Sequence, residues 1–318
     1  HTRYGTVTGV QTCALPIFLV VLAIVWGSSF ILIKKSLDYF SASEVGLLRI
    51  TITFLFLLPT ALNNISKINR KHKYYLAIAG VIGSFIPSFL FAIAQTEINS
   101  SLTGILNSLT PLFTLLLGLS FFKLKVNRYN LVGVALGLIG ALGLIYASAG
   151  GKGFVINIKY SSLIMIATVC YAFNVNFIKS YLKEIDALTI TSLTFFYVGL
   201  PTLLYVLIFS DIPTKIIHED KILIGMGYVS TLAILGTGIA LIAFNKLIKI
   251  SSPVFASSVT YIIPVIAIIW GIIDNEIFEL IYIFWFLLII LGVFLVNSKT
   301  TNSQKMNIPE KATGKNKI

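Results

Sequence analysis

SSLTGILNSLTPLFTLLLG, residues 100 to 118, returns in altered form as SSPVFASSVTYIIPVIAIIWG, residues 251 to 271. Both stretches are apolar, long enough to cross a bilayer, and carry a proline followed seven residues later by glycine: Pro111 with Gly118, Pro264 with Gly271. A proline inside a helix cannot donate to the carbonyl one turn earlier and bends the helix. Hydrocarbon tolerates that only where neighbouring helices or a watery cavity satisfy the freed backbone. Two such breaks, at Pro111 and Pro264, at matching places in one chain predict a central site.

Composition agrees with a membrane setting. The 318 residues are 57% apolar and 11% charged, with a mean hydropathy of +0.92, against roughly 25% charged in soluble domains. The net charge of +12 does not indicate a nucleic-acid partner, because that needs basic residues gathered on one soluble face. Here they punctuate apolar runs. Of the two cysteines, Cys13 is N-terminal and Cys170 lies in an apolar run, so no disulfide framework is available. His1, His72 and His218 fall outside the spans without ligand-like neighbours, and the Gly150 to Gly153 turn lacks the features of a phosphate loop. The expectation is no metal, no cofactor and no enzyme.

Residues 1 to 17 have neither the basic start nor the cleavage site of a secretory signal. They resemble translated cloning sequence and are set aside as a non-native leader. From Phe18 onward ten apolar runs are expected to span the membrane, five in residues 18–147 and five in residues 160–297, before a lysine-rich tail over residues 298–318 that reads as disordered. Alternate connections differ in charge: one set, including the C-terminal tail, holds sixteen Lys and Arg, the other six with nine acids. Positive charge stays cytoplasmic, which puts both termini inside and the chain in the cytoplasmic membrane. Because five is odd, the halves enter from opposite sides. The fold class is therefore an all-α integral membrane protein of ten transmembrane helices in two inverted five-helix repeats. WGSSFILIKK (26–35) matches CYAFNVNFIK (170–179), Pro59 matches Pro201, and GVALGLIG (133–140) matches WFLLIILG (285–292).

WGSSF with Lys35 after it, Arg49 in the second span, the proline-bearing fourth span and the glycine-rich fifth resemble the EamA-type drug/metabolite transporter superfamily over Phe18 to Val296. The resemblance implies a cavity formed by helices 1 to 4 and 6 to 9, with helices 5 and 10 peripheral. It also implies a Glu after the fourth span of each half. Glu276 fits in the second half, whereas the first has Lys123 or Leu124.

The residues themselves supply candidates. Arg49, about 10 Å deep at about 1.5 Å per residue, is the one basic residue well inside a span, and intramembrane charge points to function. An ion pair with Glu44 or Glu97 is its favoured reading, substrate contact the other. Ser84, Ser88, Phe91 and Gln95 share one helical face. With the prolines aligned, Gly104, Ser108 and Pro111 face Ser257, Tyr261 and Pro264 at the same spacing. Small and hydroxyl residues often only pack. Asn107, Asn174 and Asn176 need partners in hydrocarbon, either a polar cavity or a neighbouring helix. Trp26, Tyr171, Phe173 and Tyr261 offer aromatic faces. The candidate substrate-binding set is Trp26, Ser29, Arg49, Ser84, Ser88, Asn107, Ser108, Asn174, Ser257 and Tyr261.

The leading function is a secondary transporter moving a small organic metabolite or drug by alternating access. The alternative is a non-transporting membrane component, such as a lipid-flippase subunit, sensor or assembly partner, on the same scaffold. Expected partners are a small-molecule substrate, membrane lipid and a second copy in a homodimer. Orientation has a direct test. Single cysteines at Asn69 and Asn127 should be shielded from an impermeant thiol reagent in intact cells, while those at Gly151 and Asn275 should be labelled. The reverse pattern inverts the topology.

Overall fold

Inside a bilayer every backbone N–H and C=O must be bonded within the protein, and the apolar runs achieve this as helices. The computed structural model describes residues 7–122, 128–147, 154–219 and 221–298, and these contain no β-strand. The first half comprises α1 (Val7–Leu37), α2 (Ala42–Asn64), α3 (Arg70–Gly80) joined by a π-helical turn (Val81–Phe85) to α4 (Ile86–Ala94), α5 (Ser100–Asn107), α6 (Thr110–Phe122) and α7 (Arg128–Ala147). The second repeats the order: α8 (Phe154–Tyr181), α9 (Ala187–Phe209), a short connecting α10 (Ile212–His218), then α11 (Ile222–Thr231) joined by a π-helical segment (Leu232–Ile239) to α12 (Ala240–Ile250). α13 (Pro253–Ser257), a 3-10 turn (Ser258–Tyr261), α14 (Ile263–Ile273) and α15 (Ile281–Ser298) complete it. Eight of the described stretches are long and apolar enough to cross a membrane. The apolar parts of α7 and α15, Val132–Ala147 and Ile281–Leu295, are shorter. Helix α1 already begins at Val7, within the stretch set aside as leader. The tail beyond 298, and Lys123 and Leu124, lie outside the described residues.

Helix starts recur at matching places because the sequence supplies caps there. Ser41 accepts from the Glu44 N–H and forms a capping box at α2, and Asp186 accepts from the Thr189 N–H at α9. Asn99 caps α5 through the Leu102 N–H, and Ser252 caps α13 through the Phe255 N–H. The two halves interlock rather than sit side by side. Equivalent helices meet, α2 along α9 and α7 along α15, while α1 packs on α14, α11 and α12 and α8 packs on α4 and α6. Close approach of α7 and α15 depends on Gly292: a Cβ there would stand 2.5 Å from the Gly137 nitrogen. Large apolar side chains such as Leu207, Ile208, Phe209, Leu223 and Phe284 face outward, as a lipid-facing surface requires.

Charged clusters fasten helix ends at opposite ends of the helix bundle. At one, the Glu276 carboxylate accepts from the Ser100 N–H (2.9 Å), the Ser101 N–H (3.1 Å) and the Ser101 hydroxyl (3.0 Å), and pairs with Lys34 at 3.0 Å. Lys34 also reaches Asp274 at 2.8 Å, and Lys35 pairs with the same carboxylate. One carboxylate thus caps α5 and ties it to α1 of its own half and to the end of α14 in the other. At the opposite end the Lys179 ammonium donates to the carbonyls of Ile248 (3.0 Å), Lys249 (3.0 Å) and Ser251 (2.6 Å), closing the C-terminus of α12 onto α8.

Burial works against ionisation of Glu276 and of Asp274. The Ser100 N–H and Lys34 around Glu276, and Lys34 and Lys35 around Asp274, outweigh it and hold both carboxyls below their ordinary range. Depressed folded values mean that the fastening contributes fully above the ordinary carboxylate pKa of about 4.3 and fades as pH falls through the lower folded values. Glu276→Gln should therefore cost on the order of 2 kcal/mol at pH 7, discounted for the exposure of Lys34. Thermal unfolding followed from pH 7 to pH 3 should show wild type converging on the variant at the acid end. Parallel curves would mean that the cluster adds no pH-dependent stability.

Candidate functional site

The two π segments occupy the same position, the third membrane-crossing unit, in each half. A π turn inserts one residue into the helical register and leaves local backbone groups free to bond elsewhere. In the second-half segment they bond across the boundary between halves. Trp26 Nε1 of α1 donates to the Gly236 carbonyl at 2.9 Å, and the Thr53 hydroxyl of α2 lies 3.0 Å from the Ala233 carbonyl. Each π segment also carries a glycine against which the other half's first helix rests. A Cβ on Gly236 would stand 2.7 Å from Ser29 Oγ, and one on Gly83 would collide with the Asn174 amide.

The fourth units are broken as the prolines predict. Pro111 cannot donate to the Asn107 carbonyl, which instead accepts the Thr110 hydroxyl at 2.7 Å. Pro264 sits in the first turn of α14, after a 3-10 turn rather than a continuous helix. The π segments and the broken units surround a central cavity with about 100 Å³ of room for the centres of water-sized molecules. That is space for several waters or one small solute.

The lining comes from α1, α2, the π turn and α4, α5 and α6 of the first half. The second half adds α8, α9, the π segment with α12, and α13 with its 3-10 turn. Among the described residues, none of α7 or α15 reaches it. Trp26, Ser29, Arg49 and Ser84 line the cavity, as do Ser88, Asn107, Asn174 and Ser257. Ser108 and Tyr261 do not. The Ser108 hydroxyl turns back to the Ile105 carbonyl at 2.6 Å, and the Tyr261 hydroxyl reaches the Val293 carbonyl on α15 at 3.3 Å. These are the same position in the two halves, and the reason is geometric. Where a helix tightens to three residues per turn, the residue at i+3 shares a face with i, not the residue at i+4. Thr260 accordingly takes the place expected of Tyr261, and its counterpart Asn107 faces the cavity instead of Ser108.

Arg49 is corrected as well. Glu44 bonds Lys215 at 2.8 and 3.0 Å, and among the described residues no carboxylate lies within ion-pair distance of Arg49. The guanidinium turns inward, donating from Nε to Thr237 Oγ1 at 2.8 Å beside the Tyr171 phenol. The three asparagines divide. Asn176 bridges helices, donating to the carbonyls of Thr114 (2.9 Å) and Ala172 (3.0 Å). Asn107 and Asn174 line the cavity with Oδ1 atoms that have no protein partner among the described residues. Gln95 leaves the face it shares with Ser84 and donates to the Phe30 carbonyl at 3.3 Å. Phe173 packs on Phe122 and Phe177. Sequence reading missed Thr191, Thr194, Thr237 and Asn245 in the lining. Only the Thr191 to Thr194 spacing of one helical turn in LTITSLT signalled any of them.

The EamA-like transporter family model matches residues 15–146 and 158–298, one match to each half. An uncharacterized transporter of Archaeoglobus fulgidus is 27% identical over 168 residues, 52% of this chain, which spans 58% of that relative's length. The uncharacterized inner membrane transporter YedA of Escherichia coli is 26% identical over 261 residues, covering 81% of this chain and 82% of its own. The uncharacterized transporter YetK of Bacillus subtilis is 22% identical across 85% of this chain and 82% of its own. A solved crystal structure superposes on 93% of this chain and 99% of its own with a TM-score of 0.64 at 15% identity, a likeness of fold. With the family match covering both halves around the cavity they share, the chain belongs to the EamA-like transporter family.

Proposed function

We propose that the protein is a secondary transporter that carries a small organic molecule through the central cavity by alternating access, its two halves crossing the membrane ten times in inverted orientation with both termini cytoplasmic. The observation that carries this reading is the placement of the cavity: it lies on the boundary between the halves, and equivalent helix pieces of each half contribute to it. Rocking one half against the other would open such a site to alternate faces without dismantling either half. The backbone breaks support the same reading, since irregular backbone at membrane depth is tolerated where it borders a cavity. The fastenings at Glu276 and Lys179 hold helix ends at opposite ends of the bundle, as closures of two gates would. Among the described residues, no group of His, Cys, Asp and Glu is arranged to hold a metal ion. Arg49 is, among the described residues, the one charged residue in the lining.

Asparagine variants separate lining from bridging. In liposomes loaded with a panel of labelled metabolites, Asn107→Leu and Asn174→Leu should reduce exchange at least tenfold and leave the melting temperature near that of wild type. Asn176→Leu removes an interhelical bond and should cost roughly 0.6–2 kcal/mol, with Leu138→Ala on peripheral α7 as a control that keeps full transport. Normal exchange by both cavity variants would remove the cavity from the transport path.

A further inference from the structure

The cavity carries one unbalanced charge. Arg49 is 9% exposed and lines the cavity, and neither it nor any neighbour in the lining supplies a carboxylate. Its bonded neighbour Thr237 and the adjacent Tyr171 are neutral groups that solvate the guanidinium without neutralising it. The repeat does not duplicate the charge. With the caps of the second units aligned, Ser41 on Asp186, the position of Arg49 is held by Thr194 in the other half. Thr194 also faces the cavity, and its hydroxyl has no protein partner among the described residues. A cation at membrane depth is costly, and a buried guanidinium is relieved most by an anion that its planar fork can hold. Opposite charge chemistry is also present: the orphaned Oδ1 atoms of Asn107 and Asn174 can take hydrogen bonds only from donors.

We propose that the transported substrate is a small organic anion, a carboxylate held by Arg49 and carrying a hydrogen-bond donor for the amide oxygens. This rests on the transporter reading and narrows it. The size of the cavity limits the occupant to a small molecule in this conformation. Thr237 acts as a positioning residue, since its hydroxyl holds Nε and so orients the guanidinium at the cavity wall.

The probes are propionate and lactate, their neutral amides propionamide and lactamide, propylamine, and chloride. Binding to the purified full-length chain is followed by thermal stabilisation, and exchange is followed in liposomes. The expected result is that each acid binds and exchanges at least tenfold better than its amide, with propylamine inactive. Arg49→Gln should bring acid and amide to within about threefold, and Arg49→Lys should retain a reduced preference for the acids. Should both variants misfold, the wild-type ratio of acid to amide still decides. Amides or the amine performing as well as the acids would overturn the proposal. So would stabilisation by chloride that the carboxylates do not exceed, since an inorganic ion would then be the counter-charge. Exchange of a neutral metabolite with none of the acids would overturn the anion assignment alone, whereas exchange of no solute at all would overturn the transporter reading with it.

Discussion

A backbone group that leaves its helix inside hydrocarbon must find a partner in the protein, and this requirement arranges the molecule. The helical ladder is broken by two π segments and by prolines at corresponding places in the two halves, among them Pro111 and Pro264. The π segment of the second half is bonded by Trp26 and Thr53 of the first, and the carbonyl freed by Pro111 accepts the Thr110 hydroxyl. Irregular backbone therefore collects where the halves meet. The regular helices α7 and α15 need no such help and pack on each other at the edge.

Polar side chains follow the same division. Those that meet a partner on another helix, such as Asn176 on Thr114 and Asn245 on Thr191, bind elements together. Asn107 and Asn174, whose Oδ1 atoms have no partner among the described residues, are in the cavity wall, and other unpartnered polar atoms, at Thr51, Gln95 and Tyr197, lie outside it. In water the distinction would be small, because solvent would satisfy either group. In hydrocarbon an unpaired amide costs several kcal/mol.

The repeat is close in backbone and unequal in charge. Glu276 caps α5 and binds Lys34 at one end of the bundle, whereas Lys179 finds backbone carbonyls at the other. Arg49 faces Thr194 across the pseudo-symmetry.

Much of this was legible in the residues. Apolar run length marked the helices, the paired prolines marked the breaks and the matched segments marked the halves, because hydrocarbon converts each into a local rule. Eight of the ten candidate substrate-binding residues line the cavity. Three-dimensional packing decided the rest. Neither π segment announces itself by composition, since an inserted residue changes register rather than hydrophobicity. The 3-10 turn rotated the lining from Tyr261 to Thr260, and Arg49 lost Glu44 to Lys215, a residue 171 positions away from that glutamate. Competition between distant partners for one charge is settled by which helices come together, and no local pattern in the chain encodes that.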